Sequence, residues 1–125
     1  MKATKLKRGE LINLFNIIQN IKSTELPKDA KIEYTLLRVK LRGLLAKFEK
    51  ARTDISEETK PAGWKEGDST EEWDMAFRPV IQKWLEEESD IDTKILSLED
   101  CIALIGSNPD RDDAFGDVII EFLSK

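Results

Sequence analysis

Apolar side chains at positions 11, 12, 14, 15, 17, 18 and 21 recur at three- and four-residue spacing, leaving Asn13, Asn16, Gln19 and Asn20 for a polar side. That period predicts an amphipathic helix over 8–22. Pro27 should end it, because proline cannot continue the hydrogen-bond ladder. A second and longer helix is predicted over 28–58. Its residues Leu37, Leu41, Leu44, Phe48, Ala51 and Ile55 alternate spacings of four and three, a heptad seam. A further apolar strip, Ile32, Leu36, Val39, Gly43 and Ala46, lies about 140° around the same helix. A helix apolar on two sides is expected to be covered on two sides, which would make this one the central pillar. Gly43 costs about 1 kcal/mol of helix propensity relative to alanine but would let another backbone come close.

Beyond residue 58 the pattern is more broken. Residues 59–69, rich in turn formers, read as a loop, with Trp64 expected to anchor it to the body or to mark a contact surface. Ser69 and Glu72 have the spacing of a capping box. Trp73, Phe77, Ile81, Trp84 and Leu85 then predict a helix with a buried aromatic stripe, which Pro79 should kink or break. Residues 90–95 alternate polar and apolar, as an extended connector would. Ser97 should cap a helix over 98–105 that stops at Gly106 to Pro109, and Asp110 to Asp113 should open a terminal helix carrying Phe115, Val118, Ile119, Phe122 and Leu123. The expected fold is all-α: a single-domain helical bundle over 1–125 with one long central helix, four to five shorter helices and a short extended connector.

Composition narrows the chemistry. With 125 residues, the chain fits one modest core. It contains no histidine, which removes Ser-His-Asp and Cys-His catalysis and His-bearing zinc sites. Its single cysteine, Cys101, allows no internal disulfide and sits among apolar neighbours, so a buried structural thiol is expected. A glycine-rich phosphate loop, paired cysteines and a nucleophile elbow are all missing from the sequence. The expectation is a protein that is not an enzyme and takes no cofactor or metal. No apolar run approaches the roughly 20 residues of a membrane span. The basic N-terminus resembles the start of a signal peptide, but residues 11–21 are interrupted by amides and no small-residue cleavage site follows. A cytoplasmic protein is therefore expected, without a membrane partner.

Charge changes the picture most. Residues 1–52 carry 13 Lys and Arg against 5 Asp and Glu, whereas residues 53–125 carry 7 against 20. The chain thus divides into a basic two-helix half (1–58), the loop (59–69) and an acidic helical half (70–125). Lys2, Lys5, Lys7 and Arg8 form a basic arm, and Lys31, Arg38 and Arg42 share one ridge of the long helix. Lys40 and Lys47 lie one heptad apart on another ridge. Such ridges suit phosphate contacts, with Tyr34 the one aromatic on that helix placed for base stacking. On the acidic side stand Glu86, Glu87, Glu88, Asp90 and Asp92. Three successive glutamates on a helix point about 100° apart and do not converge on one ion. The simplest use of the split is internal, with the acidic half folding back over the basic one.

One further signal lies in the order of features. The opening Leu6-Lys-Arg-Gly-Glu-Leu-Ile-Asn-Leu leads to a long helix with Tyr34-Thr-Leu-Leu-Arg38 and Leu44-Leu45. Phe77 through Leu85-Glu-Glu-Glu-Ser-Asp-Ile91 follows, and the chain closes on Ala114-Phe115 and Ile119-Ile120-Glu-Phe-Leu. In this order the chain resembles a family of small phage and prophage proteins of uncharacterised function. The resemblance implies a phage accessory or assembly protein that works by protein–protein contact in the bacterial host cytoplasm. The contact residues expected on this reading are Lys31, Arg38, Arg42, Trp64, Glu86, Glu87, Glu88, Asp90 and Asp92. The competing expectations are nucleic-acid binding through the arm and the Lys31/Arg38/Arg42 ridge, and an acidic nucleic-acid mimic that occupies a host protein.

Overall fold

The chain is built from α1 (Arg8–Ile18), α2 (Lys28–Thr59), α3 (Glu71–Glu86), α4 (Leu98–Gly106) and α5 (Asp113–Leu123) in a computed structural model that describes residues 5–125. The described residues contain no strand, and the expected all-α bundle with one long helix is what forms. Lys2 of the basic arm lies outside the described residues.

The core collects where α1, the first half of α2, and the α4–α5 hairpin meet. Leu11, Leu14, Phe15 and Ile18 of α1 are buried with Tyr34, Leu37 and Leu41 of α2, Cys101 and Leu104 of α4, and Phe115, Ile119 and Leu123 of α5. Leu96, just before α4, joins them. Apart from Tyr34 and Leu96, these are positions that the sequence pattern marks as apolar, so local pattern and tertiary packing agree there.

α1 ends about one turn early, at Ile18, with Gln19 as its C-cap. Two contacts from distant elements take over the chain. Arg38 of α2 donates to the Gln19 carbonyl at 2.8 Å, supplying the cation that the last turn of α1 lacks. Asn108, just after α4, then holds Lys22 from both sides, its Oδ1 accepting from the Lys22 N–H at 2.8 Å and its Nδ2 donating to the Lys22 carbonyl at 2.7 Å. The Ser107 hydroxyl accepts from the Glu25 N–H at 2.9 Å. The stop after α4 is thus also a clamp on the α1–α2 connection.

α3 runs along the second half of α2 and reaches the start of α1. It starts differently from the expected capping box. Thr70 is the N-cap, and Ser69 Oγ accepts from the Glu71 N–H at 3.2 Å. Pro79 lies inside an unbroken helix, and the aromatic stripe is half-buried, with no α3 residue fully buried. The reason is location: the α4–α5 hairpin packs elsewhere, so α3 is covered from one side only. Pro79 and Met75, whose carbonyl loses its intrahelical donor, are both exposed, which lets water satisfy that group. Pro79→Ala is expected to restore the bond and raise unfolding stability by about 1–2 kcal/mol, read by urea denaturation.

The connector after α3 is extended but forms no strand. Its pairing sits at its two ends, as isolated bridges of Lys7 with Glu88 (antiparallel) and of Leu96 with Ser124 (parallel). Between them Thr93 is buried and donates to the Phe122 carbonyl at 2.6 Å, closing the end of α5. Ser97 caps α4 as expected, accepting from the Asp100 N–H at 3.1 Å, and Asp112 caps α5, accepting from the Phe115 N–H at 3.1 Å. The terminal helix therefore begins at Asp113, with Asp110 outside its first turn.

Candidate interaction surface

α2 does not serve as a pillar covered on two sides. Its heptad seam faces the body: Leu37, Leu41, Leu44 and Ile55 are buried, with Phe48 and Ala51 half-buried. The second strip faces away from the body. Ile32, Leu36 and Val39 are 49%, 51% and 53% exposed, Ala46 is exposed, and the space beside the Gly43 Cα is open. The sequence offered a warning of this. Lys28 and Lys50 cap the two ends of the strip on the same line, and Lys40, Arg42 and Lys47 border it, so covering it fully would strip water from several ammonium groups.

The outer face is a narrow apolar line with charged rims. On one rim stand Asp29, Glu33, Lys40 and Lys47, and on the other Lys31, Arg42 and Glu49, all exposed. Among the described residues, Lys31, Lys40, Arg42 and Lys47 make no ion pair, whereas Lys50 is held by Asp54 at 3.0 Å and Arg52 by Glu49. The ridge of Lys31, Arg38 and Arg42 is therefore split. Lys31 and Arg42 are free at the surface, while Arg38 is half-buried and engaged with Gln19, its guanidinium 5.8 Å from the Tyr34 ring centroid. Tyr34 offers no stacking surface. It is fully buried, donates to the Ile18 carbonyl at 3.0 Å, and burial pushes its hydroxyl up to about 12.

The acidic half does reach the basic arm. Lys5 pairs with Asp90 at 2.7 Å and Arg8 with Glu87 at 2.9 Å, and the Arg8 guanidinium stacks 4.3 Å above the Trp84 ring. The exposed Lys5–Asp90 hydrogen bond holds the lysine above and the carboxyl below their ordinary values. Main-chain bonds reinforce the junction, from the Arg8 N–H to the Glu87 carbonyl and from the Ser89 N–H to the Leu6 carbonyl, both 2.9 Å. Of the expected acidic contact residues, Glu87 and Asp90 thus hold the arm, while Glu86, Glu88 and Asp92 point to solvent as exposed side chains. Glu86 ends α3 and the others lie on the extended connector, so the run is not three turns of one helix. No group of three or more Cys, Asp or Glu among the described residues is placed to hold a metal ion.

Trp64 anchors the loop. It packs edge-on against Trp73 with centroids 4.9 Å apart and donates to the Ser69 carbonyl at 3.0 Å, while Trp73 donates to the Ser56 carbonyl at 2.8 Å. The Lys60 ammonium lies 5.4 and 5.7 Å from the two ring centroids. Positive φ at Gly63 and Gly67 makes the two tight turns that fold the loop back. Beside this corner an open groove of about 590 Å³ runs between α2 and α3, bordered by Arg52, Ser56, Lys60, Trp73, Asp74 and Phe77. Its polar groups carry mixed charge.

Cys101 is fully buried in the core, and burial together with Asp100 pushes its thiol up, so it has the character of a packing residue. No helix among the described residues is long and apolar enough to cross a membrane. No protein-family model, curated protein or solved structure matches this chain.

Proposed function

We propose that this protein acts without catalysis, through protein–protein contact, and that the outer face of α2 is its contact surface. The observation that carries this reading is the strip Ile32, Leu36 and Val39. Three large apolar side chains sit half-exposed in a line on one helix, beside an open glycine and between charged rims on which Lys31, Lys40, Arg42 and Lys47 make no ion pair among the described residues. Such a line leaves apolar area in water that a partner could cover, and the rims can fix its orientation. The sequence resemblance to small phage and prophage proteins supports a phage accessory or assembly role in a bacterial cytoplasm. Trp64 drops out as a contact residue on this reading, because it is engaged with Trp73.

The experiment is site-specific photo-cross-linking in the cells that make the protein. A benzophenone side chain at position 36 should give a discrete adduct that Val39→Glu abolishes. The same probe at Glu86, exposed on another surface, should give none. Absence of any adduct from position 36, with the protein folded and expressed, would remove the reading.

Nucleic-acid binding is the second reading, favoured by the unpaired Lys31, Lys40, Arg42 and Lys47. Against it stand the burial of Tyr34 and an apolar line where phosphates would lie. A fluorescence-anisotropy titration with duplex and single-stranded DNA is expected to show no binding tighter than about 10⁻⁴ M at physiological salt, the weak end of non-specific affinity. Micromolar binding that falls steeply with salt and is lost in Lys31→Ala/Arg42→Ala would instead favour it. The acidic mimic has the least support, since Arg8 and Lys5 already neutralise Glu87 and Asp90.

A further inference from the structure

Resting on the reading of α2 as the contact surface, we propose that its occupant is a second copy of this chain. The two α2 helices pack antiparallel about a two-fold axis near Val39.

The strip is graded in size along the helix. Its N-terminal part is large, Ile32, Leu36 and Val39, and its C-terminal part is small, Gly43 and Ala46. Reversing one copy places Ile32 and Leu36 of each chain over the Gly43 and Ala46 end of the other, so large meets small on both sides of the Val39 pair at the axis. A parallel arrangement would put large on large and leave a gap between the two small ends. The open space beside the Gly43 Cα is what a close helix approach needs.

Charge is graded the same way. The first rim runs from Asp29 and Glu33 to Lys40 and Lys47, from negative to positive. The second runs from Lys31 through Arg42 to Glu49, from positive to negative. A two-fold axis across antiparallel helices brings each rim against its own reversed copy. Lys47 then lies at the level of Asp29 and Glu33 of the second chain, and Glu49 near its Lys31. Like charges meet only at Lys40 beside the axis and where Lys28 faces Lys50, whose ammonium Asp54 already holds. In a parallel pair the two different rims would face each other, with Asp29 and Glu33 beside Lys31 and Lys47 beside Glu49, so charge fits either direction and the size gradient selects the antiparallel one.

Among the described residues nothing obstructs this contact, because α1 and α3 both pack on the seam side of α2. The segment from Lys28 to Lys50 spans about 33 Å, and two such helices would bury on the order of 1,000 Å², the low end for a specific interface. The dimer is accordingly expected to dissociate in the range of tens to hundreds of micromolar.

Sedimentation velocity of the full chain from about 10 µM to 1 mM should follow this equilibrium by mass action. Leu36→Glu should shift it to monomer, raising the dissociation constant at least about tenfold, with an unchanged circular dichroism spectrum because residue 36 faces water. Disulfide trapping fixes the orientation. Val39→Cys should cross-link to itself. Ile32→Cys alone should not, since its two copies would stand about 21 Å apart along the axis. A mixture of Ile32→Cys and Ala46→Cys should give the mixed disulfide; Cys101 is buried and stays silent. A monomer throughout the range, or efficient self-cross-linking of Ile32→Cys, overturns the proposal. A photo-adduct from position 36 to a different protein alone also overturns it, yet leaves the contact reading standing. The two can therefore fail separately.

Discussion

Leu41→Ala should destabilise the protein by about 3 kcal/mol, whereas Leu36→Ala, five residues earlier on the same helix, should change stability by less than about 0.5 kcal/mol. Leu41 is in the core between α1 and α2, where truncation removes packed methyl groups and leaves a cavity. Leu36 has half its surface in water, and alanine is the better helix former, so lost contact and gained propensity nearly cancel. Urea unfolding of the two variants at low protein concentration measures the contrast, since dilution keeps any self-association out of the comparison. A helix covered on both sides would suffer from both substitutions alike. A cost of 2 kcal/mol or more for Leu36→Ala would return α2 to a pillar and remove its outer face as a contact surface.

Raising the pH from 10 to 12 should remove roughly 2–3 kcal/mol of stability through Tyr34 alone. Its hydroxyl ionises at 10.0 in the ordinary state and at about 12 in the fold, because burial disfavours the phenolate, an effect the nearby Arg38 only partly offsets. The contribution is complete below pH 10. It declines as the unfolded chain ionises first and is lost by the time pH passes the folded value. Tyr34→Phe should cost about 1 kcal/mol at neutral pH, since the Ile18 carbonyl loses its donor. The same variant should be flatter in alkali and become the more stable protein near pH 12. Chemical denaturation of both proteins at several pH values tests the crossing. Parallel pH profiles would mean that Tyr34 ionises freely and is less buried than described. Two further groups lose stability at this end in both proteins: Cys101, pushed up from 9.0, and Lys5, raised by Asp90. With no histidine in the chain, stability should be nearly constant between about pH 5 and 9. On the acid side the Asp90 contribution is present above its ordinary value of 3.8 and is lost as pH falls through its lowered folded value.

Helix existence was legible throughout, because the three- and four-residue spacing of apolar side chains is a property of consecutive residues. The first and last turns were less so. α1 stops early because Arg38 and Asn108, both remote in sequence, take its last carbonyl and the residues that follow. The seam of α2 packs as its heptad spacing predicts, whereas its second strip, equally regular in sequence, faces water. Apolar periodicity says which side chains share a face; it does not say whether enough other helices exist to cover that face.

What the sequence determined by itself is therefore local: the helical stretches, the cap at Ser97 and a split of charge along the chain. The destination of that charge was decided by the tertiary structure. The basic arm meets Glu87 and Asp90 because the connector returns past the start of α1, while Lys31, Lys40, Arg42 and Lys47 remain unpaired because α3, α4 and α5 all lie on the other side of α2. Burial and pairing depend on which elements share space, and the described helices pack on one side of the longest of them. The uncovered face of α2 follows from that arrangement.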